Sequence, residues 1–301
     1  MNAKTGMSRP IPAMACEARD GFEVRRLRSP AVEVAVVPEL GARVVSLKNL
    51  RTGREWMYHP GSRSRWFRNQ PGDDFARGPV AGWDECLPTT APCLWRGRSL
   101  PDHGEVWTAA WNLDEAAWER GVIKTSVRLP VSLFEFTRAI ELEGNTLHAD
   151  YQLLSLDSEP QEFLWTMHPL LALRPGDRLV LPGETRRRLE NEPWIDSLDF
   201  GERIPACGKA FAGPLRQGWA EVFNSISQDR LALEWNAAEC GTLGVWLTRG
   251  GWHGHHHLAL EPANGAPDSL AIAAGEWNRC GRLAPFARKK WSVRIRLQPS
   301  A

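Results

Sequence analysis

The chain has 301 residues with 43% hydrophobic and 24% charged side chains, ordinary globular usage that supports a sizeable core without disulfides or a cofactor. Its 37 basic residues balance 36 acidic ones to a formal net charge of +1, which leaves no electrostatic footprint for nucleic acid or an anionic membrane surface. The opening MNAKTGMSRPIPAMACEARD lacks the continuous apolar stretch of a signal peptide, and no later segment approaches the length of a membrane span, so a cytoplasmic protein is expected.

Val32, Val34 and Val36 alternate with other residues ahead of a Pro38-Glu39-Leu40-Gly41 break, and ARVVSLKNL then resumes an extended pattern, which predicts paired strands. Arg51-Thr52-Gly53 is a turn. From His59 to Arg98 the chain is rich in Pro, Gly, Arg and Asp with little periodicity, the kind of long irregular segment that carries function. EAAWER at 115–120 predicts a single helical turn. A hairpin follows, with Phe134, Phe136, Arg138, Ile140 and Leu142 alternating with Glu135, Thr137, Ala139 and Glu141 before EGN turns the chain into LHADYQLLSL. Leu164 to His168, Leu231 to Trp235, Leu243 to Leu247, Leu258 to Leu260 and Trp291 to Leu297 add short strands between Gly- or Pro-containing turns. No long helical period competes and no fixed repeat recurs. The expected architecture is all-β, a large antiparallel β-sandwich formed by one domain over residues 22–298 behind an N-terminal extension at 1–21.

The six cysteines, at positions 16, 86, 93, 207, 240 and 280, include no CxxC pair, which predicts reduced thiols and no structural zinc. Tryptophan is abundant, 15 against 2 tyrosines; most should fill the interior, while Trp83, Trp107 and Trp252, each beside a polar motif, are expected in cleft walls.

Three acid–base candidates are flanked by strand and turn signals: His103 in LPDHGEVW, His168 in FLWTMHPLL and Glu261 in LALEPANGAPDSL. They lie too far apart in sequence for one helix or loop, so they cooperate only if a β-rich fold gathers three strand ends at one cleft. Each has a plain structural reading as well. Glu261 could cap a turn before Pro262, His168 could be a satisfied core histidine, and Pro101-Asp102-His103-Gly104 has the chemistry of a solvated turn. In HGHHH at 253–257, His255 and His257 can share one face of an extended strand while His256 cannot join them, so no metal site is predicted.

Taken in order, ELGARVVSLKNLRTGREW, GWDECLPT, LPDHGEVW, the MHP strand end, GVWLTRGGW and LALEPANGAPDSL resemble the aldose 1-epimerases of the galactose mutarotase-like superfamily, over roughly residues 22 to 298. The resemblance implies that superfamily's many-stranded β-supersandwich, a small-molecule sugar as ligand, no cofactor, no metal, and a reaction that opens and recloses an aldose ring to invert the anomeric hydroxyl. Glu261 would take the proton from that hydroxyl. His168, raised modestly by a neighbouring carboxylate, would protonate the ring oxygen from the opposite side of the pyranose. His103 would bind the substrate, with Asp102 and Glu105 holding its tautomer or accepting sugar hydroxyls. Asp84, Glu85 and Arg77 could also reach the cleft, against the plain reading that charged loop residues are solvated, and Trp252 would stack on a sugar face. Two departures leave the sugar unassigned: Met167 replaces the usual Asn before the second histidine, with Pro169 after it, and no residue matches the superfamily's sugar-binding Asp. Two other functions share the same scaffold: a non-catalytic carbohydrate-binding protein, and a glycan-cleaving hydrolase or lyase using Glu261 with Asp102 or Glu105.

Overall fold

A computed structural model describes residues 11–61, 65–192, 194 and 206–298. In chain order its strands are β1 (Ala13–Arg19), β2 (Phe22–Arg28), β3 (Val32–Val37), β4 (Arg43–Asn49), β5 (Trp83–Cys86), β6 (Cys93–Trp95), β7 (Arg98–Leu100), β8 (Asn112–Leu113), β9 (Ile123–Leu129), β10 (Phe134–Glu143) and β11 (Thr146–Ser155). There follow β12 (Gln161–Phe163), β13 (Thr166–Ala172), β14 (Asp177–Val180), β15 (Ala206–Ala212), β16 (Gly218–Asn224), β17 (Arg230–Trp235), β18 (Thr242–Arg249), β19 (His256–Ala263), β20 (Gly281–Leu283) and β21 (Arg288–Gln298). Three short helices interrupt them, α1 (Glu115–Trp118), α2 (Gly183–Arg188) and α3 (Leu270–Gly275). No helix among the described residues is long and apolar enough to cross a membrane.

Two large sheets carry the fold. One has nine strands in the order β1-β2-β3-β4-β5-β13-β19-β18-β15, the other eight in the order β14-β16-β17-β21-β11-β10-β9-β8. Period-two patterning decides which face each strand buries. In β10, Phe134, Phe136, Arg138, Ile140 and Leu142 are buried while the residues between them stay partly exposed. They pair antiparallel with β11, from Phe134 opposite Ser155 to Glu143 opposite Thr146. Their inward side chains meet those of the nine-stranded sheet, such as Leu27, Val34, Val44 and Leu47, in one continuous core. Each fully buried side chain of this size contributes roughly 1.5–3 kcal/mol.

Polar contacts cross this core at fixed points. Arg138 of β10 reaches Glu85 of β5 at 2.9 Å, and the same carboxylate accepts from the Trp83 and Trp165 indoles and the Tyr151 hydroxyl. Arg54 holds Asp177 with two hydrogen bonds of 3.0 and 2.7 Å while lying 3.5 Å over the Trp56 ring. Removing one partner of such a buried pair leaves the other group uncompensated in the core.

The segment after His59 is less irregular than its composition suggests. It contains a 3-10 turn at Phe75–Arg77, the buried strand β5 and the β6–β7 hairpin. The helical turn expected at 115–120 is α1, its N-terminus capped by Asp114, which accepts from the Ala117 N–H. The strand expected to end at His168 instead begins at Thr166 and continues to Ala172, so His168 sits inside it. β1 lies within the stretch read as an N-terminal extension and pairs with β2 from end to end.

Candidate active site

Alternation in the central strands of the nine-stranded sheet sends one set of side chains to the core and the other to the outer face. Met167 and Leu171 of β13, Leu258 and Leu260 of β19, and Val245 and Leu247 of β18 point inward. His168, Glu261 and Trp246 therefore point outward, where Leu170, Ala259, Phe75 and Trp107 form a second, smaller apolar cluster.

Register brings the two central groups together. β13 and β19 pair with Thr166 opposite Ala263 and Leu170 opposite Ala259, so His168 stands directly opposite Glu261. Pro169 has no N–H to give, and the ladder opens there. The imidazole Nε2 lies 3.4 Å from Glu261 Oε1. On the far side of Glu261 the cross-strand partner is Gly244 of β18. A Cβ at that position would stand 2.7 Å from Glu261 Oε2, so the missing side chain is what gives the carboxylate its place.

Lys209, on the edge strand β15, completes the arrangement. Its Nζ lies 2.8 Å from Glu261 Oε2 and 2.8 Å from Asp268 Oδ1. Asp268 is itself anchored, its main-chain carbonyl accepting from the Thr90 and Ala91 N–H groups at 2.9 Å.

His168, Lys209 and Asp268 border a cavity of about 200 Å³ walled also by Phe75, His103 and Trp252, and Glu261 lies behind this wall. A wider surface groove of about 1520 Å³ adjoins it at Pro92 and Asp102. Glu261 is fully buried beneath the two groups that touch its carboxylate. His103 enters from the loop before β8 with its backbone in the left-handed region (φ 56°), followed by Gly104 at φ 74°, where a Cβ would collide with the Leu87 carbonyl at 2.1 Å. Its Nδ1 donates to Asp102 Oδ1 at 2.9 Å, while Asp102 Oδ2 accepts from the Phe75 N–H at 2.9 Å. Phe75 stacks on the His103 ring at 4.0 Å, so the imidazole is fixed in tautomer and plane and its Nε2 is the nitrogen left without a partner from Asp102.

Charge follows from burial. Desolvation, reinforced by the neighbouring His103 and the Lys209 ammonium, holds His168 well below the ordinary imidazole range. This reverses the expected modest rise, because burial outweighs the neighbouring carboxylate. Burial pushes Glu261 up and Lys209 opposes it. Burial works against the Lys209 ammonium, yet Glu261 and Asp268 together hold it above its usual range. Desolvation also drives His257 down to about 3, and the Trp246 indole donates to its Nε2 at 3.1 Å, which leaves the ring proton on Nδ1.

The other expected site residues are placed as follows. Trp252 lines the cavity, whereas Trp107 backs Phe75 and donates to the Asp102 carbonyl at 2.8 Å. Trp83 points into the core, one residue out of phase with the outer face. Asp84 is the cross-strand partner of His168, but Arg43 Nε grips its carboxylate at 2.9 and 3.1 Å. Glu85 is spent on Arg138 in the core, and Glu105 accepts from the Val131 and Ser132 N–H groups at 2.8 and 3.1 Å. All three carboxylates are thus engaged in holding the fold. Arg77 is exposed at the end of the 3-10 turn and is not part of the cavity wall. In HGHHH, His257 reaches the cavity, while His255 hydrogen-bonds the Tyr58 hydroxyl at 3.0 Å. No cluster able to hold a metal ion occurs among the described residues.

His168 and Glu261 are too close for a pyranose to sit between them, which overturns the expected placement on opposite sides of the ring. Sequence reasoning missed Lys209, Asp268, Phe75 and Gly244. Asp268 and Gly244 lay within motifs already singled out, LALEPANGAPDSL and GVWLTRGGW; Lys209 and Phe75 gave no periodic or turn signal.

Solved structures share this architecture end to end. The Slr1438 protein of Synechocystis sp. PCC 6803 superposes with a TM-score of 0.69 at 15% identity, covering 99% of this chain and 100% of that one. A galactose mutarotase-like protein from Clostridium acetobutylicum gives 0.68 at 13% identity over 96% of this chain and 99% of its own. One from Lactobacillus casei ATCC 334 gives 0.65 at 13% identity over 91% and 100%. No protein-family model and no curated protein matches the chain. At these identities the likeness establishes the fold, a galactose mutarotase-like β-supersandwich.

Proposed function

For a chain with this fold, we propose an aldose 1-epimerase-type isomerase that interconverts the anomers of a small sugar by acid–base chemistry between Glu261 and His168. The observation that carries the reading is the 3.4 Å contact between those two groups, with His168 in the wall of a cavity of about 200 Å³, room for a single sugar ring, and Glu261 buried directly behind it. The wider groove beside it can take a substituent on that ring. Mutarotation moves one proton from the anomeric hydroxyl to the ring oxygen, and both oxygens are bonded to the same carbon. An acid and a base on one side of the ring can serve both.

In this scheme Glu261 accepts the proton of the anomeric hydroxyl as the bond from C1 to the ring oxygen breaks. His168, neutral at rest, takes that proton from Glu261 on Nε2 and, as the imidazolium, delivers it to the ring oxygen, which leaves both side chains as they began. The open aldehyde rotates about the C1–C2 bond and the steps reverse. Asp102 and Phe75 hold His103 ready to hydrogen-bond a sugar hydroxyl, and Trp252 offers an aromatic face.

The test is anomer interconversion followed by NMR over a panel of aldoses. Wild-type protein should outpace buffer on at least one sugar, and Glu261→Gln and His168→Ala should each lower that rate by about 10²–10⁴-fold, the span of general acid–base catalysis. Saturable binding without faster exchange would instead support a carbohydrate-binding protein, and release of new reducing ends a glycan-cleaving enzyme.

A further inference from the structure

We propose that Lys209 is a positioning residue of this site, its ammonium shared between Glu261 and Asp268 so that the buried Glu261 carboxylate stays anionic and fixed beside His168. The proposal rests on the reading of Glu261 as the base, and it adds a residue that neither motif nor spacing indicated.

A base must hold a lone pair, which for Glu261 means being ionised in a place where ionisation is costly. The side chain is fully buried, and a carboxylate moved from water into such surroundings without compensation takes up a proton. Compensation has to come from the groups that face it. β13 offers His168, which its own burial keeps neutral. β18 offers only Gly244, and β5 offers Cys86, a buried thiol. From the loops come Asp268, an anion, and His103, whose Nδ1 is committed to Asp102. Among these, β15 supplies the one side chain that carries a positive charge at every pH near neutral, Lys209, at 2.8 Å from Oε2.

Asp268 explains why the lysine is dependable. One ammonium between two carboxylates stays charged although most of the side chain is buried. A permanently protonated amine cannot attack the open aldehyde, so Lys209 forms no Schiff base during the ring-opened interval. Its partner Asp268 is fixed to the 89–91 stretch through its main-chain carbonyl, which ties the position of the charge to the loop that walls the cavity.

The experiment uses the full chain with Lys209→Met, which keeps the length of the side chain and removes its charge, and Lys209→Arg, which keeps the charge. Folding of each is checked by circular dichroism. Protein labelled with ¹³C at the glutamate carboxyl carbon is titrated from pH 4.5 to 8.5, with Glu261→Gln to assign the signal. In the wild type and in Lys209→Arg, Glu261 should remain ionised down to a lower pH than in Lys209→Met, where its midpoint should rise by about one unit or more. On any aldose that the wild type turns over, Lys209→Met should lower kcat/KM at pH 7 by about tenfold or more, move the acid limb of the pH profile upward and recover as pH rises. Lys209→Arg should keep the wild-type limb. An unmoved Glu261 midpoint in well-folded Lys209→Met, or an unmoved acid limb, overturns the proposal. If no aldose is turned over, the isomerase reading fails, and the carboxyl titration still decides what Lys209 does.

Discussion

Burial drives His257 down to about 3, and the cost of that displacement to the fold can be measured. Unfolded, the imidazole titrates near its ordinary value of about 6.5. Between those values the unfolded chain binds the extra proton and the folded one does not, so folding stability rises with pH there. The contribution is fully present above pH 6.5 and drains away as the pH falls toward 3. Urea denaturation at pH 7.5 and 4.5 should show wild-type protein losing stability on acidification, and His257→Phe losing about 2 kcal/mol less. His168 acts in the same direction, so the variant's dependence should shrink without vanishing. A variant with the same pH dependence as the wild type would show that His257 keeps contact with water through the cavity.

Among the elements, β18 shows how a strand serves the site by withholding a side chain. Gly244 faces Glu261 across the ladder, and the space a Cβ would fill is the space its carboxylate uses. Gly244→Ala should therefore leave the sheet folded and depress anomer exchange toward the level of Glu261→Gln, read in the same NMR assay. The strands themselves were legible because alternation writes the buried face directly into sequence: the hairpin of β10 and β11 sits where Phe134 to Leu142 and the EGN turn put it. His168 and Glu261 were legible as chemistry, but their meeting depends on the pairing of β13 with β19, which no local pattern encodes. Asp84 and Glu105 misled for the same reason. A carboxylate near a candidate motif looks available until the distant Arg43, or the Val131 and Ser132 amides, are seen to occupy it. Lys209 left no trace in sequence, since both of its partners arrive from much later in the chain.

At the scale of the molecule, the two sheets are joined by apolar packing and by a few ion pairs set within it. Arg138→Met would leave Glu85 buried without its cation, facing the donors of Trp83, Tyr151 and Trp165 alone. Breaking one side of such a pair should cost about 3–5 kcal/mol, measured by chemical denaturation. Replacing both partners with apolar residues of similar volume should recover much of that loss. The site is assembled on one side of this interface, from β13, β15, β18, β19 and the loops that cover them. The eight-stranded sheet supplies no wall of the smaller cavity, but its β8, β9 and β10 line the wider groove through Asn112, Ser126, Arg128 and Glu135. Its outer-face residues far from that groove, such as the partly exposed pair Arg230 and Glu221, are open to redesign for solubility, labelling or immobilisation, with the site left untouched.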